Sequence, residues 1–263
     1  MHIHLLNSLV TAAVSILVYM SLCFVASIIF RRNDVADIGW GLGFVITSFI
    51  VLISNHNERL TTFMVFLLVL IWGIRLSSHI LLRNIKKPED FRYKVWRDSW
   101  GKWFYLRSYF QIYILQGILM LLILLPVLAI LSEKPFNDNP LLIVGLVVWV
   151  FGFIFETIGD RQLTKFLEDK NRKVKIMQQG LWKYSRHPNY FGEITQWWSI
   201  GLIALAVDYG WLALIGPLTI TFLITKISGI PLLEKNYANN PEYTKYKLKT
   251  SILIPLPTKR PIN

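Results

Sequence analysis

Apolar runs recur along the chain at 5–30, 38–54, 60–82, 110–131, 140–159, 195–207 and 209–227, separated by short polar stretches. Most reach the roughly 18–20 residues that carry a helix across about 30 Å of hydrocarbon. The run at 195–207 is too short alone, and it spans only if the residues from Pro188 belong to the same helix. The pattern predicts an all-α integral membrane protein, a bundle of seven transmembrane helices. The first run reads as a retained helix rather than a signal peptide. His2 and His4 stand where a basic n-region would be, the apolar stretch is too long for an h-region, and no small-x-small cleavage site follows.

The chain has 263 residues, is 54% hydrophobic and 14% aromatic, and has a mean hydropathy of +0.45. Its net charge is +12, and where the charge lies matters more than its size. Of 28 Lys and Arg, 25 fall at 31–32, 83–107, 161–187 and 226–263, in every second connection. The positive-inside rule then puts the N-terminus outside and the C-terminus in the cytoplasm. A nucleic-acid binder would gather its basic residues on one soluble face, so no nucleic-acid partner is expected. Cys23 is the single cysteine, which excludes a disulfide framework and a cysteine metal site.

No repeat or Gly/Ser linker divides the chain, so residues 1–263 read as one membrane domain. Stretch 83–107 interleaves cations with aromatic rings and predicts an interfacial amphipathic helix. The tail predicts a short helix up to Asn239 and a second one from Pro241, ended before Pro255.

Polar residues inside apolar runs are costly and point to function. Arg75, His79 and Arg83 are four apart and share a face. Arg83 can snorkel, whereas Arg75 is deep enough to need an acid or a ligand phosphate. Glu156 and Asp160 also share a face; a metal, pairing with Arg75 or Arg83, or a bound hydroxyl or amide would each satisfy them. Ligand spacing for a metal is lacking, and none is expected. At the head of the second run Asp34 is the expected N-cap, with Asp37 one turn in.

Residues 180–198, GLWKYSRHPNYFGEITQWW, concentrate the chemistry. Pro188 suits the first position of a helix. Asn189 and Glu193 then share one face, with Trp197 one turn on. Free N–H groups at that helix start, beside Arg186 and His187, make a ready anion site. Asn189 and Glu193 are placed to read an amide or amine deeper in. The basic stretch with Lys170, Arg172, Lys173 and Lys175 suits the mouth of a site for a phosphorylated cofactor.

That segment resembles the signature of the steroid 5-alpha-reductase C-terminal-domain family, in its bacterial branch labelled steroid reductase-like or domain of unknown function. The stretches DVADIGWGLGF, WGIRLSSHILLR, EDFRYKVWRDSWG, FETIGDRQLTKF and 243–255 are similar to that branch as well. The resemblance implies a seven-helix oxidoreductase that uses NADPH to reduce a conjugated carbon–carbon double bond in a lipophilic enone, steroid-like or isoprenoid. It implies a substrate side in 1–131 and a cofactor-binding region in 140–263. It makes Asp160, Asn189, Glu193 and Tyr246 cofactor residues, to which the chemistry of the segment adds Glu156, Lys175, Arg186, His187 and Tyr190. The family's ketone-polarising tyrosine has Ile80 in its place here, and its glutamate has no match. Asp37, Arg75, His79 and Tyr93 are therefore the catalytic candidates, with the proton donor among Asp37, His79 and Tyr93.

A more distant resemblance is to isoprenylcysteine carboxyl methyltransferase-like membrane enzymes. They share an Arg-His-Pro-x-Tyr segment, here Arg186 to Tyr190, and imply S-adenosylmethionine in place of NADPH. Their tail carries paired acids, whereas Glu234 is followed here by Lys235. A lipid-binding membrane protein without activity is the third class. Membrane lipids and a lipophilic small molecule are the expected partners, and the expected location is a bacterial inner membrane with the cofactor site facing the cytoplasm.

Overall fold

The computed structural model describes residues 2–56, 59–85, 87–89, 91–132, 140–171, 174–208 and 210–258. Among them the chain is helical with no strand, only an isolated bridge between Ser185 and Ser251. It forms two compact units. One comprises Met1–Asn139 with Ile203–Gly216, and the other Pro140–Leu202 with Pro217–Asn263.

The first unit is built on α1 (His2–Phe30), α2 (Val35–Asn55), α3 (Leu60–Asn84) and α6 (Leu115–Ser132). Between α3 and α6 come α4 (Phe91–Trp100), a 3₁₀ turn, α5 (Phe104–Ser108) and a π-helical stretch over Tyr109–Ile114. Backbones approach closely where side chains are small. A Cβ added to Gly73 would lie 2.6 Å from the Gly41 carbonyl oxygen, so α2 and α3 touch main chain to main chain. The Tyr19 hydroxyl donates to the Gly39 carbonyl at 2.7 Å and ties α1 to α2.

Asp34 stands at the N-cap position of α2 but makes no capping bond, which corrects the sequence expectation. Its carboxylate is taken by Arg32, which grips it through Nε at 2.9 Å and Nη2 at 2.6 Å. Two bonds between opposite charges outweigh one capping bond from a neutral N–H donor, and the planar fork occupies both oxygens.

The second unit contains α7 (Pro140–Glu168), α8 (Pro188–Ala204, up to Leu202), α9 (Ile215–Phe222, from Pro217 on), α10 (Ile230–Lys235) and α11 (Pro241–Lys249). A π-helical stretch over Leu223–Ile227 follows α9. Gly145, Gly152 and Gly159 stand seven apart and are buried on one face of α7. A Cβ at Gly152 would lie 2.7 Å from the Gly192 carbonyl oxygen, and one at Gly159 3.0 Å from the Asn189 nitrogen. These contacts run α8 antiparallel to α7.

Among the described residues six helices are long and apolar enough to cross a membrane: His4–Phe30, Val35–Asn55, Leu60–Asn84, Tyr93–Ser132, Pro140–Glu168 and Gly210–Lys235. The chain is thus a multi-pass membrane protein. The motif residues from Pro188 do join the run that follows in one helix, but α8 has only 17 residues and is not among the six. The expected helices of 83–107 and of the tail are present as α4, α10 and α11.

Candidate functional site

The second unit gathers the signature residues at the amino-terminal end of α8. Gly180 has φ of +59°, a conformation that favours glycine, and from it the chain turns into the 3₁₀ stretch Gly180–Lys183. The Leu181 N–H donates to Gln162 Oε1 at 3.0 Å, and the Trp182 indole N–H donates to the Gly159 carbonyl at 3.1 Å. Both bonds hold segment 180–187 against the last turns of α7.

The tail clamps the same segment from the other side. Arg186 N–H donates to the Ser251 carbonyl at 2.9 Å, and Leu256 N–H to the Tyr184 carbonyl at 3.0 Å. The Ser185 hydroxyl donates to the Leu253 carbonyl at 2.7 Å. The Tyr246 hydroxyl donates to the Trp182 carbonyl. Its phenol is thereby committed to the turn, and burial pushes its pKa up. Asn240 caps α11, accepting from Glu242 N–H at 2.9 Å, and places Tyr243 and Tyr246 in a buried cluster with Ile176.

Arg186 and His187 are both buried. They converge on Glu234 of α10: Arg186 Nη1 lies 2.8 Å and His187 Nε2 3.4 Å from Glu234 Oε1. Lys247 of α11 reaches the other oxygen at 3.2 Å. The His187 ring stacks on Tyr190 with centroids 5.6 Å apart. Burial pushes the His187 pKa down to about 4, with the Arg186 charge adding to the effect against Glu234. The imidazole is therefore neutral at pH 7. With Nε2–H directed at Glu234, Nδ1 is left as an acceptor.

Deeper along the helices, Asn189 Nδ2 donates to Asp160 Oδ1 at 3.0 Å. Gln196 Nε2 donates to Glu156 Oε2 at 2.6 Å and to the Gly192 carbonyl at 3.2 Å. The acids that the sequence left open are thus met by α8 amides. Glu193 is half-buried one turn beyond Asn189, and Trp197 is buried. Lys175 is exposed in the connection before Gly180, while Arg172 and Lys173 lie outside the described residues.

Three polar atoms here are buried with no hydrogen-bond partner: Arg186 Nε, Asn189 Oδ1 and Gln196 Oε1. Orphaned buried groups are costly, so these three, one just before α8 and two on it, call for a ligand or water. Two residues of this site, Glu234 and Gln196, were absent from the sequence-based set. Glu234 was noticed only as a tail acid without a twin. Its contact with His187 spans 47 residues, which no local spacing reveals.

In the first unit the Tyr93 hydroxyl donates to Asp37 Oδ1 at 2.9 Å, joining two of the four catalytic candidates. Tyr93 is buried, and Asp37 is half-buried. Arg75 and His79 follow one another by a turn on α3 and are both half-buried. Arg83 is exposed, and its Nε donates to Asn84 Oδ1 at 3.2 Å. Among the described residues no group of three or more His, Cys, Asp or Glu side chains is gathered as a metal would require.

Residues 23–250 match the model of the DUF1295 family, described as proteins of unknown function, and the chain belongs to that family. The family is steroid 5-alpha-reductase-like. The chain is 28% identical to an uncharacterised protein of Schizosaccharomyces pombe (C594.04c) over 194 residues, covering 62% of this chain and 56% of the yeast protein. It is 27% identical to the 3-oxo-5-alpha-steroid 4-dehydrogenase 1 of Bos taurus over 74 residues, 28% of either chain. It thus spans about half the length of the yeast relative and less of the bovine one. No solved structure matches it.

Proposed function

We propose that this chain is a membrane oxidoreductase that uses NADPH to reduce a carbon–carbon double bond conjugated to a ketone in a lipophilic molecule, steroid-like or isoprenoid. The observation that carries the reading is the trio of orphaned atoms Arg186 Nε, just before α8, and Asn189 Oδ1 and Gln196 Oε1, in its first and third turns. A cationic donor followed by two acceptors suits a ligand with phosphate at one end and an amide at the other. The diphosphate of NADPH fits Arg186 and the free N–H groups of the first turn of α8. Its carboxamide offers the donors that Asn189 and Gln196 lack. The distant similarity to a steroid 4-dehydrogenase supports reductive chemistry on a lipid.

In this reading Arg186, His187, Tyr190 and Lys175 serve the phosphate end, while Asn189, Glu193, Asp160 and Glu156 serve the amide end. Tyr246 holds the 182–186 turn in place. NADPH supplies the hydride for the β-carbon of the enone. Negative charge then develops on the ketone oxygen, which needs a preorganised donor. Tyr93, hydrogen-bonded to Asp37, is the proton donor we assign, with Arg75 and His79 stabilising the charge.

We also read α8 as a seventh crossing. The last turns of α7 and the Glu234 end of Gly210–Lys235 both meet segment 182–187. Two helices that finish at one side need a return between them, and 17 residues at 1.5 Å each cover about 25 Å. The N-terminus is then outside, and the site and C-terminus face the cytoplasm.

The test is a thermal-stability titration of the detergent-purified protein with NADPH and with S-adenosylmethionine. Ligand at 100 times its dissociation constant adds about 2.7 kcal/mol. Stabilisation by NADPH is expected; stabilisation by S-adenosylmethionine alone overturns the reading. That outcome would favour methyl transfer, for which the junction of Arg186 and His187 on the tail acid Glu234 is the supporting observation.

A further inference from the structure

The end of α11 and the segment after it have a face that the proposed chemistry does not use. Leu248 is 73% exposed, and Ile252, Ile254 and Leu256 are 46%, 59% and 52% exposed. The last three alternate with half-buried Ser251, Leu253 and Pro255, so the bonded segment turns one apolar edge outward. Tyr184, 43% exposed, sits beside this edge, because Leu256 N–H is bonded to its carbonyl. Lys183 lies over the Tyr184 ring, 5.8 Å from its centroid. Lys245 and Lys249 are exposed on the turns of α11 next to Leu248.

The height of this edge relative to the bilayer follows from bonds within the unit. The tail is pinned to segment 182–186, and Trp182 is bonded to the Gly159 carbonyl of the spanning helix α7. Up to Gly159, α7 still presents Ile154 and Ile158 to its surroundings, 48% and 41% exposed. The edge therefore stands where the hydrocarbon gives way to headgroups. A row of aliphatic side chains flanked by an aromatic ring and lysines suits that layer.

We propose that segment 248–256 is a membrane-docking strap. It lays Leu248, Ile252, Ile254 and Leu256 into the headgroup layer, and Lys183, Lys245 and Lys249 select acidic lipid. The backbone of Ser251, Leu253 and Leu256 is bonded to residues 184–186, so the docked strap also braces the segment that carries Arg186.

The test uses the full chain with Cys23→Ser, carrying Ile254→Cys or, separately, Leu248→Cys, each labelled with an environment-sensitive fluorophore. Reconstitution is in nanodiscs of phosphatidylcholine alone or rich in phosphatidylglycerol, with a nitroxide on the lipid headgroup as quencher. A lysine near an acidic surface is worth about fivefold in occupancy. Quenching is expected at both positions, several-fold stronger in phosphatidylglycerol, and that excess is expected to vanish with Lys245→Glu and Lys249→Glu together. Equal quenching in the two lipids overturns the selection of acidic lipid. Labels open to aqueous iodide in either disc overturn docking altogether. Labels shielded from both iodide and nitroxide show that protein covers the edge, which also overturns the proposal.

Discussion

The side-chain amide of Gln196 donates to Glu156 Oε2 at 2.6 Å, joining α8 to α7 between residues that are 1% and 2% exposed. A carboxylate at this depth of an apolar helix requires such donors. Gln196→Leu is expected to cost about 2–3 kcal/mol, the usual penalty for stripping a donor from a buried acid. Glu156→Leu combined with Gln196→Leu should lose less than the two single changes together. Unfolding of all three variants in mixed micelles measures the coupling, and strict additivity would remove the pair from the account of stability.

Close approach of the two helices makes that bond possible. A Cβ on Gly152 would sit 2.7 Å from the Gly192 carbonyl oxygen and 3.0 Å from the Gln196 backbone nitrogen. Backbone atoms cannot step aside as a flexible side chain can. Gly152→Ala is therefore expected to push α8 outward and cost about 1–3 kcal/mol, the range for overpacking. Its melting curve should fall below that of the unsubstituted protein.

The apolar runs made most of the bundle legible, because a helix in hydrocarbon must be apolar over its whole length. Six of the seven runs correspond to helices long enough to span, and Pro188 announced the start of α8. The tail helices were readable from Pro241 and the break at Gly229–Pro231. Asp34 misled because its local signature is that of a cap, while Arg32, two residues before it, claims the carboxylate. Glu234 and Gln196 are not legible in the sequence: His187 lies 47 residues from the first and Glu156 40 from the second, where sequence spacing carries no geometry.

His187 gives the unit a defined response to acid. Its folded pKa of about 4 lies below the ordinary 6.5, chiefly through burial, so the unfolded chain binds the proton more readily. The stability this contributes is fully present above pH 6.5 and is lost as pH falls toward 4. The groups facing the ring are Glu234, Arg186 and Tyr190, with Lys247 and Tyr243 on Glu234. A shift of this size corresponds to about 2–4 kcal/mol. Melting temperature against pH should drop between these limits, and His187→Gln should flatten that part of the curve. An unchanged slope in the variant would assign the acid response to other groups.

Arg186 carries the anion end of the proposed cofactor site through a buried Nε that has no partner. Arg186→Gln is expected to weaken NADPH binding by about 10–100-fold, the range for losing a charged hydrogen bond. Since Gln196 and Asn189 serve the amide end, NADP⁺ and NADPH should suffer alike. A calorimetric titration showing unchanged affinity would move the phosphates elsewhere.

The hydroxyl of Tyr93 and the carboxylate of Asp37, 2.9 Å apart, divide the proposed reaction from cofactor binding. Both belong to the first unit, whereas the cofactor residues belong to the second. Tyr93→Phe keeps the ring and its edge-on contact with Trp96, whose centroid is 5.6 Å away, and removes only the donor. Its expected effect is a fall in kcat of about 10²–10⁴-fold, the usual contribution of a general acid, with the NADPH dissociation constant unchanged. Asp37→Asn leaves the phenol in place but changes the group that orients it, so a smaller loss and an altered pH–rate profile are expected. Steady-state rates of NADPH oxidation with a lipophilic enone, set beside NADPH titrations of the same variants, separate the two effects. If Tyr93→Phe reduces cofactor affinity and not turnover, the dyad is structural, and the proton must come from His79 or from water.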